Sequence, residues 1–352
     1  MDTTPTRHRR PRLVFSPLVG MLAAFCRGKG VDPDPTLARL GISPEVFADQ
    51  EARVPYEALL ALWDDLLTAH PDAPLGLEYA SMIDMASFGL YALLGMHSAT
   101  MAEGIRRSIR FQRLFDPELD LRMEVTDEAC VLTLRHEVED THPEIMEMML
   151  GAMCLYARSA LGPEQLATHG HLEPFEAVFK HARRHPEAAY TERTGARVRF
   201  GAPRHQVRMP AAWLDLPIAH ATPGVAVYLE RALLAHERAD AAARTFADDA
   251  REELSRALSE GEVSQDAIAR RLAVSARTLQ RRLRKEGFTF AELLEAERRD
   301  QAERLLARDD LPVYAIAYAL GYSEPSTFHR AFKRWTGETP QSYRTRLTED
   351  TT

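Results

Sequence analysis

The 352-residue sequence predicts an α+β domain over residues 12–240, followed by an all-α domain over residues 248–346 built from two helix-turn-helix motifs joined by a linker helix. Three observations predict this. Strand-like alternation lies between helical stretches in the first two thirds. Composition shifts to alanine and charge over 225–251. A helix–turn–helix pattern then occurs twice in the last third.

The N-terminal domain comes first in the chain. Helical periodicity runs through 16–30, 55–70, 101–115 and 143–161. Between the last two lies LDLRMEVTDEACVLTLRHEV (119–138). There Leu119, Leu121, Met123 and Val125 alternate with polar residues, an acidic turn follows, and then a second apolar run, which is a hairpin with one buried face. A further strand pair is expected over 196–210, with Gly201 and Pro203 at its turn. The stretch VAVYLERALLAHERADAAARTFADDAR (225–251) reads as a helix running into a polar linker, with the domain boundary at about 237–248.

Bulk properties narrow the function. At 45% apolar and 27% charged, the composition is that of a folded protein able to bury a core. Charges interrupt every apolar run before it reaches the length of a membrane span. The basic start, MDTTPTRHRRPRLVF, lacks a secretory apolar region and is read as a frayed end, with a DNA- or membrane-binding tail as the alternative. Cys26, Cys130 and Cys154 are widely spaced, form no metal or disulfide pattern, and are expected as buried thiols of a cytoplasmic protein. The net charge is −8, yet residues 248–346 hold 18 Lys and Arg against 17 Asp and Glu, so the rest of the chain carries −9. Positive charge is concentrated in the last third, and clustered there.

The repeat explains the clustering. IARRLAVSARTLQRRL (268–283) and IAYALGYSEPSTFHRAF (316–332) match at Ile268 and Ile316, Ala269 and Ala317, and Leu272 and Leu320. After one extra residue in the second copy, Thr278, Leu279, Arg281 and Leu283 match Thr327, Phe328, Arg330 and Phe332. Ser275 and Ser323 stand where an N-cap oxygen would meet the free amides of each second helix, and Pro325 falls in a first turn, where its missing N–H is tolerated. Leu279 and Leu283, like Phe328 and Phe332, are four apart and face inward. The opposite faces then carry Arg277, Gln280, Arg281 and Arg284 in one copy, and Ser326, His329, Arg330 and Lys333 in the other. These side chains suit base edges and phosphates in a major groove. FAELLEAERRDQAERLLARD (290–309) reads as one continuous helix of about 28 Å, slightly short of the ~34 Å between successive major-groove faces. Tilted motifs or bent DNA would close the gap. Arg299 and Arg304 on this helix are expected to pair with Glu297 or Glu303.

These residues carry a resemblance. VYAIAYALGYSEPSTFHRAFKRWTGETPQSYRTR (313–346), with Gly321, Tyr322, Phe328, Arg330, Phe332, Gly337, Thr339, Pro340, Tyr343 and Arg344 in order, is similar to the DNA-binding domain of AraC/XylS-family transcription regulators. Residues 88–111 and 195–221 resemble, more loosely, the arabinose-binding type of sensor domain. The resemblance implies double-stranded promoter DNA and RNA polymerase as partners, a small-molecule effector, a possible homodimer, no cofactor and no enzymatic activity. It further implies base contacts from Arg277, Gln280 and Arg281 on a helix over 275–286, and from Ser326, His329 and Arg330 on one over 324–335. Arg284, Lys285, Lys333 and Arg334 would contact phosphates. For His329, a non-contacting surface role stands equally open. Ala273 replaces the glycine of the second copy, so a slightly different first turn is expected.

Other readings are weaker. His97, His136, His142, His169 and His171 give no ligand set for a metal. Tyr91, His97, Arg135 and Tyr156 suit a ligand cavity but suit core packing better. Three functions compete: a ligand-responsive regulator, expected as an activator; a constitutive DNA-binding protein whose N-terminal domain only dimerises; and an alkylation-repair protein with a reactive cysteine. The third would need a thiolate in a polar, basic setting, and only Cys26, beside Arg27 and Lys29, has close positive charge.

Overall fold

A computed structural model describes residues 13–49, 52–83, 89–116, 118–169, 175–219, 221–261, 263–306 and 311–349. The basic start of the chain and the side chains of the His–Gly–His stretch lie outside these residues. The chain forms two compact units, Pro11–Arg238 and Ala239–Thr352.

In the first unit, β1 (Leu13–Phe15) pairs antiparallel with β2 (Arg53–Pro55) beside α1 (Ser16–Gly28), α2 (Asp34–Arg39) and α3 (Glu57–Ala69). Leu22, Phe25, Cys26, Leu62, Trp63 and Leu66 fill the space between them. The apolar residues of α1 and α3 recur at three and four positions, so each helix buries one stripe. Next come α4 (Leu75–Met82), α5 (Gly89–Met96) and α6 (Met101–Phe115), the last started by the Thr100 hydroxyl accepting from the Glu103 N–H. The hairpin follows as β3 (Asp120–Val125) and β4 (Ala129–Arg135), and then α7 (Pro143–His169). Helix α7 extends beyond the expected 161, across a break at Gly162, whose φ of 70° lets the chain turn and restart at Pro163. The unit closes with β5 (Glu176–Val178), α8 (Glu187–Thr194), β6 (Arg197–Arg199), β7 (His205–Pro210) and α9 (Pro223–Ala243).

The expected hairpin is present, with Val125 opposite Cys130 and Asp120 opposite Arg135. Its inward face fades toward the turn: Leu119 and Leu121 are buried, whereas Val125 is 51% exposed. The strand pair expected over 196–210 is corrected. Both strands exist, but they are not partners, because the sheet order is β3-β4-β7-β5-β6 and β5 lies between them. Strand β5 runs parallel to β6 and antiparallel to β7. At three residues it is too short to show alternation.

The polar stretch expected as a linker instead starts a helix. Thr245 and Asp248 form a reciprocal capping box, with the Thr245 N–H donating to Asp248 Oδ2 at 2.9 Å and the Asp248 N–H to Thr245 Oγ1 at 3.2 Å. This opens the second unit: α10 (Phe246–Glu260), α11 (Gln265–Arg271), α12 (Ala276–Lys285), α13 (Phe290–Leu306), α14 (Val313–Ala319), α15 (Pro325–Thr336) and α16 (Pro340–Glu349). Two cores form. One joins α10, α11 and α12 through Leu254, Ile268, Leu279 and Leu283. The other joins α14 and α15 through Ile316, Leu320, Phe328 and Phe332. Helix α13 enters both, with Leu293 in the first and Ala302 and Leu306 in the second.

Helices α11–α12 and α14–α15 are the two helix-turn-helix motifs. Ser275 caps α12 as expected, accepting from the Thr278 N–H at 3.2 Å. Ser323 does not cap α15. The extra residue moves that cap to Glu324, whose side chain makes no capping bond, and Pro325 at the first position removes one amide that would need it. The turns themselves agree. Ala273 has φ 54° and Gly321 φ 74°, so alanine adopts here the left-handed conformation that glycine adopts in the second copy.

That shared turn yields a paired prediction. Ala273→Gly should stabilise the second unit slightly, by about 0.5–1 kcal/mol, since relief of left-handed strain outweighs the added chain entropy. Gly321→Ala should destabilise it by about 1 kcal/mol or more, because a Cβ there also meets the Arg298 guanidinium at 3.3 Å. Urea unfolding of both variants checks the opposite signs.

Candidate nucleic-acid interface and ligand cavity

The apolar pairs determine which side of α12 and α15 faces out. With Leu279, Leu283, Phe328 and Phe332 fully buried, Arg277, Gln280, Arg281, Arg284 and Lys285 are exposed on α12, and Ser326, Arg330, Lys333 and Arg334 on α15. His329 is half-buried, its ring 6.1 Å from that of Phe328. Among the described residues no ion pair involves Arg277, Arg281, Arg284, Lys285 or Lys333. Gln280 Nε2 donates to Gln265 Oε1 at 3.1 Å, Arg330 reaches Thr327 Oγ1 at 3.5 Å, and Ser326 Oγ reaches Glu324 at 3.3 Å. Arg334 differs: it pairs with Glu295 of α13, which also accepts from the Trp335 indole N–H. That pairing holds the Glu295 carboxylate below its usual range despite its partial burial.

Sequence reasoning missed the residue that holds the second turn. Arg298 of α13 donates from Nε to the Leu320 carbonyl at 2.9 Å and from Nη2 to the Gly321 carbonyl at 3.2 Å, with its guanidinium 4.5 Å from the centroid of Tyr322. Its fork satisfies carbonyls that the end of α14 leaves open. Arg299 pairs with Glu303 at 2.9 Å, as expected. The side chain of Arg304 lies outside the described residues.

The first unit contains a partly open cavity of about 190 Å³ between α3, α4, α5, α6, α7 and the sheet. Its walls are chiefly apolar, with Trp63, Ile105, Leu132, Met149, Met153 and Val207 among them. Of the polar residues weighed from sequence, Tyr91 and Tyr156 line it, whereas His97 and Arg135 do not. Asp116 also reaches it, and its Oδ2 lies 3.2 Å from His136 Nε2.

A second buried group carries charge-capable side chains. Glu147 of α7 is fully buried; it accepts from Tyr190 Oη at 2.6 Å, with His181 Nε2 at 3.9 Å and His185 Nε2 at 4.0 Å. Burial pushes the Glu147 carboxyl up to about 7 and the His205 imidazole down to about 4, and it lowers His181 and His185 as well. The Nε2 atoms of all three histidines make no hydrogen bond among the described residues. No group of three or more His, Cys, Asp or Glu among those residues is arranged to hold a metal ion.

Burial raises the thiols of Cys26, Cys130 and Cys154 to about 12, 11 and 12. All three are protonated at neutral pH, the opposite of what a methyl-accepting nucleophile needs.

Two helix-turn-helix motifs on one bridging helix, each with a basic exposed face, follow a unit that contains a cavity: this is the architecture of a DNA-binding regulator. Residues 30–218 match the family model described as the arabinose-binding domain of AraC transcription regulators, N-terminal, and residues 268–346 match a helix-turn-helix domain model. The HTH-type transcriptional regulator VirS of Mycobacterium tuberculosis is 32% identical over 90% of this chain and 92% of its own. The ornithine utilization regulator of Pseudomonas aeruginosa is 27% identical over 86% and 88%. The crystal structure of the transcriptional regulator CdpR from Pseudomonas aeruginosa aligns over 89% of this chain and 96% of that one, at 23% identity and a TM-score of 0.40. The chain belongs to the AraC/XylS family of transcription regulators, with an N-terminal domain of the arabinose-binding type.

The buried carboxyl generates a pH prediction. The folded pKa of Glu147 lies above its ordinary value of 4.5, so its contribution to stability is complete below about pH 4.5 and is lost as pH rises toward 7. Glu147→Gln keeps the Tyr190 hydrogen bond without ionising. The variant should match the wild type near pH 4.5 and exceed it by about 3 kcal/mol at pH 7.5. Unfolding measured at both pH values checks this, and a difference independent of pH would contradict it.

Proposed function

We propose that this transcription regulator is a ligand-responsive activator that reads two successive major-groove segments of promoter DNA, one with α12 and one with α15. The observation that carries the reading is the pair of exposed basic faces, each fixed by a buried apolar pair and both hung on α13. Arg277, Gln280 and Arg281 are assigned to bases in one segment, and Ser326, His329 and Arg330 to bases in the other. Arg284, Lys285 and Lys333 are assigned to phosphates. Arg334 is a weaker phosphate candidate, since Glu295 already neutralises it. Helix α13 spans 17 residues, about 25 Å, against ~34 Å between groove faces. Tilted motifs or a bent duplex are therefore part of the proposal. The cavity supplies a place for an effector, whose binding would shift the balance between arrangements of differing promoter affinity. The protein would act in the cytoplasm, as a homodimer, with RNA polymerase as its partner in activation.

Fluorescence anisotropy on DNA from upstream of its own and neighbouring genes, with scrambled competitor and a salt series, tests this. Arg281→Ala and Arg330→Ala should each weaken specific binding by ~1–3 kcal/mol and relax preference at one position. Lys285→Ala or Lys333→Ala should weaken binding to all sequences and reduce the salt slope by about 1, and Arg334→Ala by less. Sequence-blind, salt-dependent loss from the Arg281 and Arg330 variants would reassign both to phosphate.

A further inference from the structure

The family model's description names a sugar, and the cavity of the first unit has the wrong chemistry for one. We propose that this cavity binds a neutral, mainly apolar molecule about the size of one substituted ring, carrying a single hydrogen-bond acceptor that meets Tyr156. The proposal rests on the reading of the chain as ligand-responsive and names the ligand class.

Size comes first. The cavity measures about 190 Å³. An apolar protein cavity of about 150 Å³ accommodates benzene, so a ring with one small substituent fits. Methionines contribute flexible, polarizable walls that adapt to ring edges.

Charge comes second. Among the described residues no Lys, Arg or His lines the cavity. The one carboxyl among the described lining residues, Asp116, already faces His136 at 3.2 Å. A carboxylate ligand would be desolvated there without a cation and beside an acid. A sugar would bury several hydroxyls against walls that offer few partners, each unpaired group costing free energy.

The polar group that points to a ligand is Tyr156. Its hydroxyl is buried and has no hydrogen-bond partner among the described residues. It is packed over Gly95: a Cβ built on Gly95 would collide with Tyr156 Oη and would lie 3.3 Å from Ser108 Oγ. Glycine at 95 thus leaves room for a hydroxyl that none of the described residues uses. Tyr91 stands nearby, its ring stacked on Phe115 at 4.8 Å. Tyr91 already bonds Ser108, which leaves the Tyr156 O–H, protonated at neutral pH, as the donor open to a ligand acceptor.

The test uses the full chain and six probes: acetophenone, benzyl alcohol, toluene, benzoate, benzylammonium and arabinose. Thermal unfolding and intrinsic fluorescence, with Trp63 in the cavity wall, are the readouts. Acetophenone and benzyl alcohol should raise Tm saturably and perturb fluorescence, toluene should bind about tenfold more weakly, and benzoate, benzylammonium and arabinose should do neither at the same concentrations. Tyr156→Phe removes the donor and keeps the shape, so it should erase most of acetophenone's advantage over toluene. Ala157→Leu, which fills the cavity, should abolish binding of all neutral probes. Tighter binding by benzoate, benzylammonium or arabinose, an unchanged acetophenone-to-toluene ratio in Tyr156→Phe, or no binding by any neutral probe would overturn the proposal. Promoter anisotropy with each probe separates the two claims. Neutral probes that bind at Tyr156 without altering DNA affinity uphold the ligand class and sink ligand responsiveness. A promoter response to benzoate or arabinose alone does the reverse.

Discussion

Two apolar side chains four residues apart, buried on one helix, govern the C-terminal unit. Leu279 and Leu283 in α12, and Phe328 and Phe332 in α15, are removed from solvent completely. Burial of each such side chain is worth roughly 1.5–3 kcal/mol, more than a solvated arginine gains or loses by facing either way. Rotation of the helix is therefore decided by its apolar face, and the basic face follows. Helix α13 carries the constraint from one core to the other, because Leu293 belongs to the first and Leu306 to the second. Arg298 fastens the second motif at its turn through two backbone carbonyls. The first motif uses a different fastener. Glu286, at the end of α12, accepts from the Phe246 and Ala247 N–H groups that start α10, at 3.1 and 2.7 Å. The repeats share a shape and achieve it with unlike chemistry.

The N-terminal unit is organised the other way, around polar groups placed where water is absent. Glu147 and three histidines occupy one buried region, and a separate region holds Tyr156, Asp116 and His136. Each buried group lowers stability unless it is paired or neutral. The directions of their pKa shifts, up for Glu147 and down for His205, are what neutrality by burial requires. The unit stays folded with these groups because the sheet and α7 bury a large apolar set around them, including Phe179, Leu150 and Met146.

The elements that could be read from sequence were those whose periodicity is long enough to be seen. The hairpin at 119–138 shows alternation on its first arm and an apolar run on its second, and α1, α3, α6 and α12 each repeat their apolar residues over several turns. Strand β5 has three residues and no period, so it was missed, and its insertion between β6 and β7 broke a pairing that sequence adjacency favours. The Ser323 cap was misplaced by the single residue that distinguishes the two copies. The basic faces of α12 and α15 could be derived from the four-residue spacing alone. Arg298 could not, since its partners are main-chain carbonyls 22 and 23 residues away that any sequence would supply. The buried acid–histidine group was equally hidden, because Glu147 lies on a helix whose apolar pattern is unremarkable there and His181, His185 and His205 come from another part of the chain. The cavity was half-readable: Tyr91 and Tyr156 line it, while His97 and Arg135, weighed with them, sit elsewhere.

The turn at Ala273 shows how tightly the motif geometry is held. A left-handed alanine costs ~1–2 kcal/mol relative to an ordinary conformation, and glycine would remove that strain, yet Ala273 holds the left-handed φ that Gly321 holds in the second motif. The strain is tolerated because the alternatives are worse. Relaxing φ at Ala273 would swing α12 about its start and pull Leu279 and Leu283 out of a core shared with α10 and α13. That shared core thus outweighs one strained residue. The turn is a consequence of the packing, which is why alanine in one copy and glycine in the other both adopt a left-handed φ.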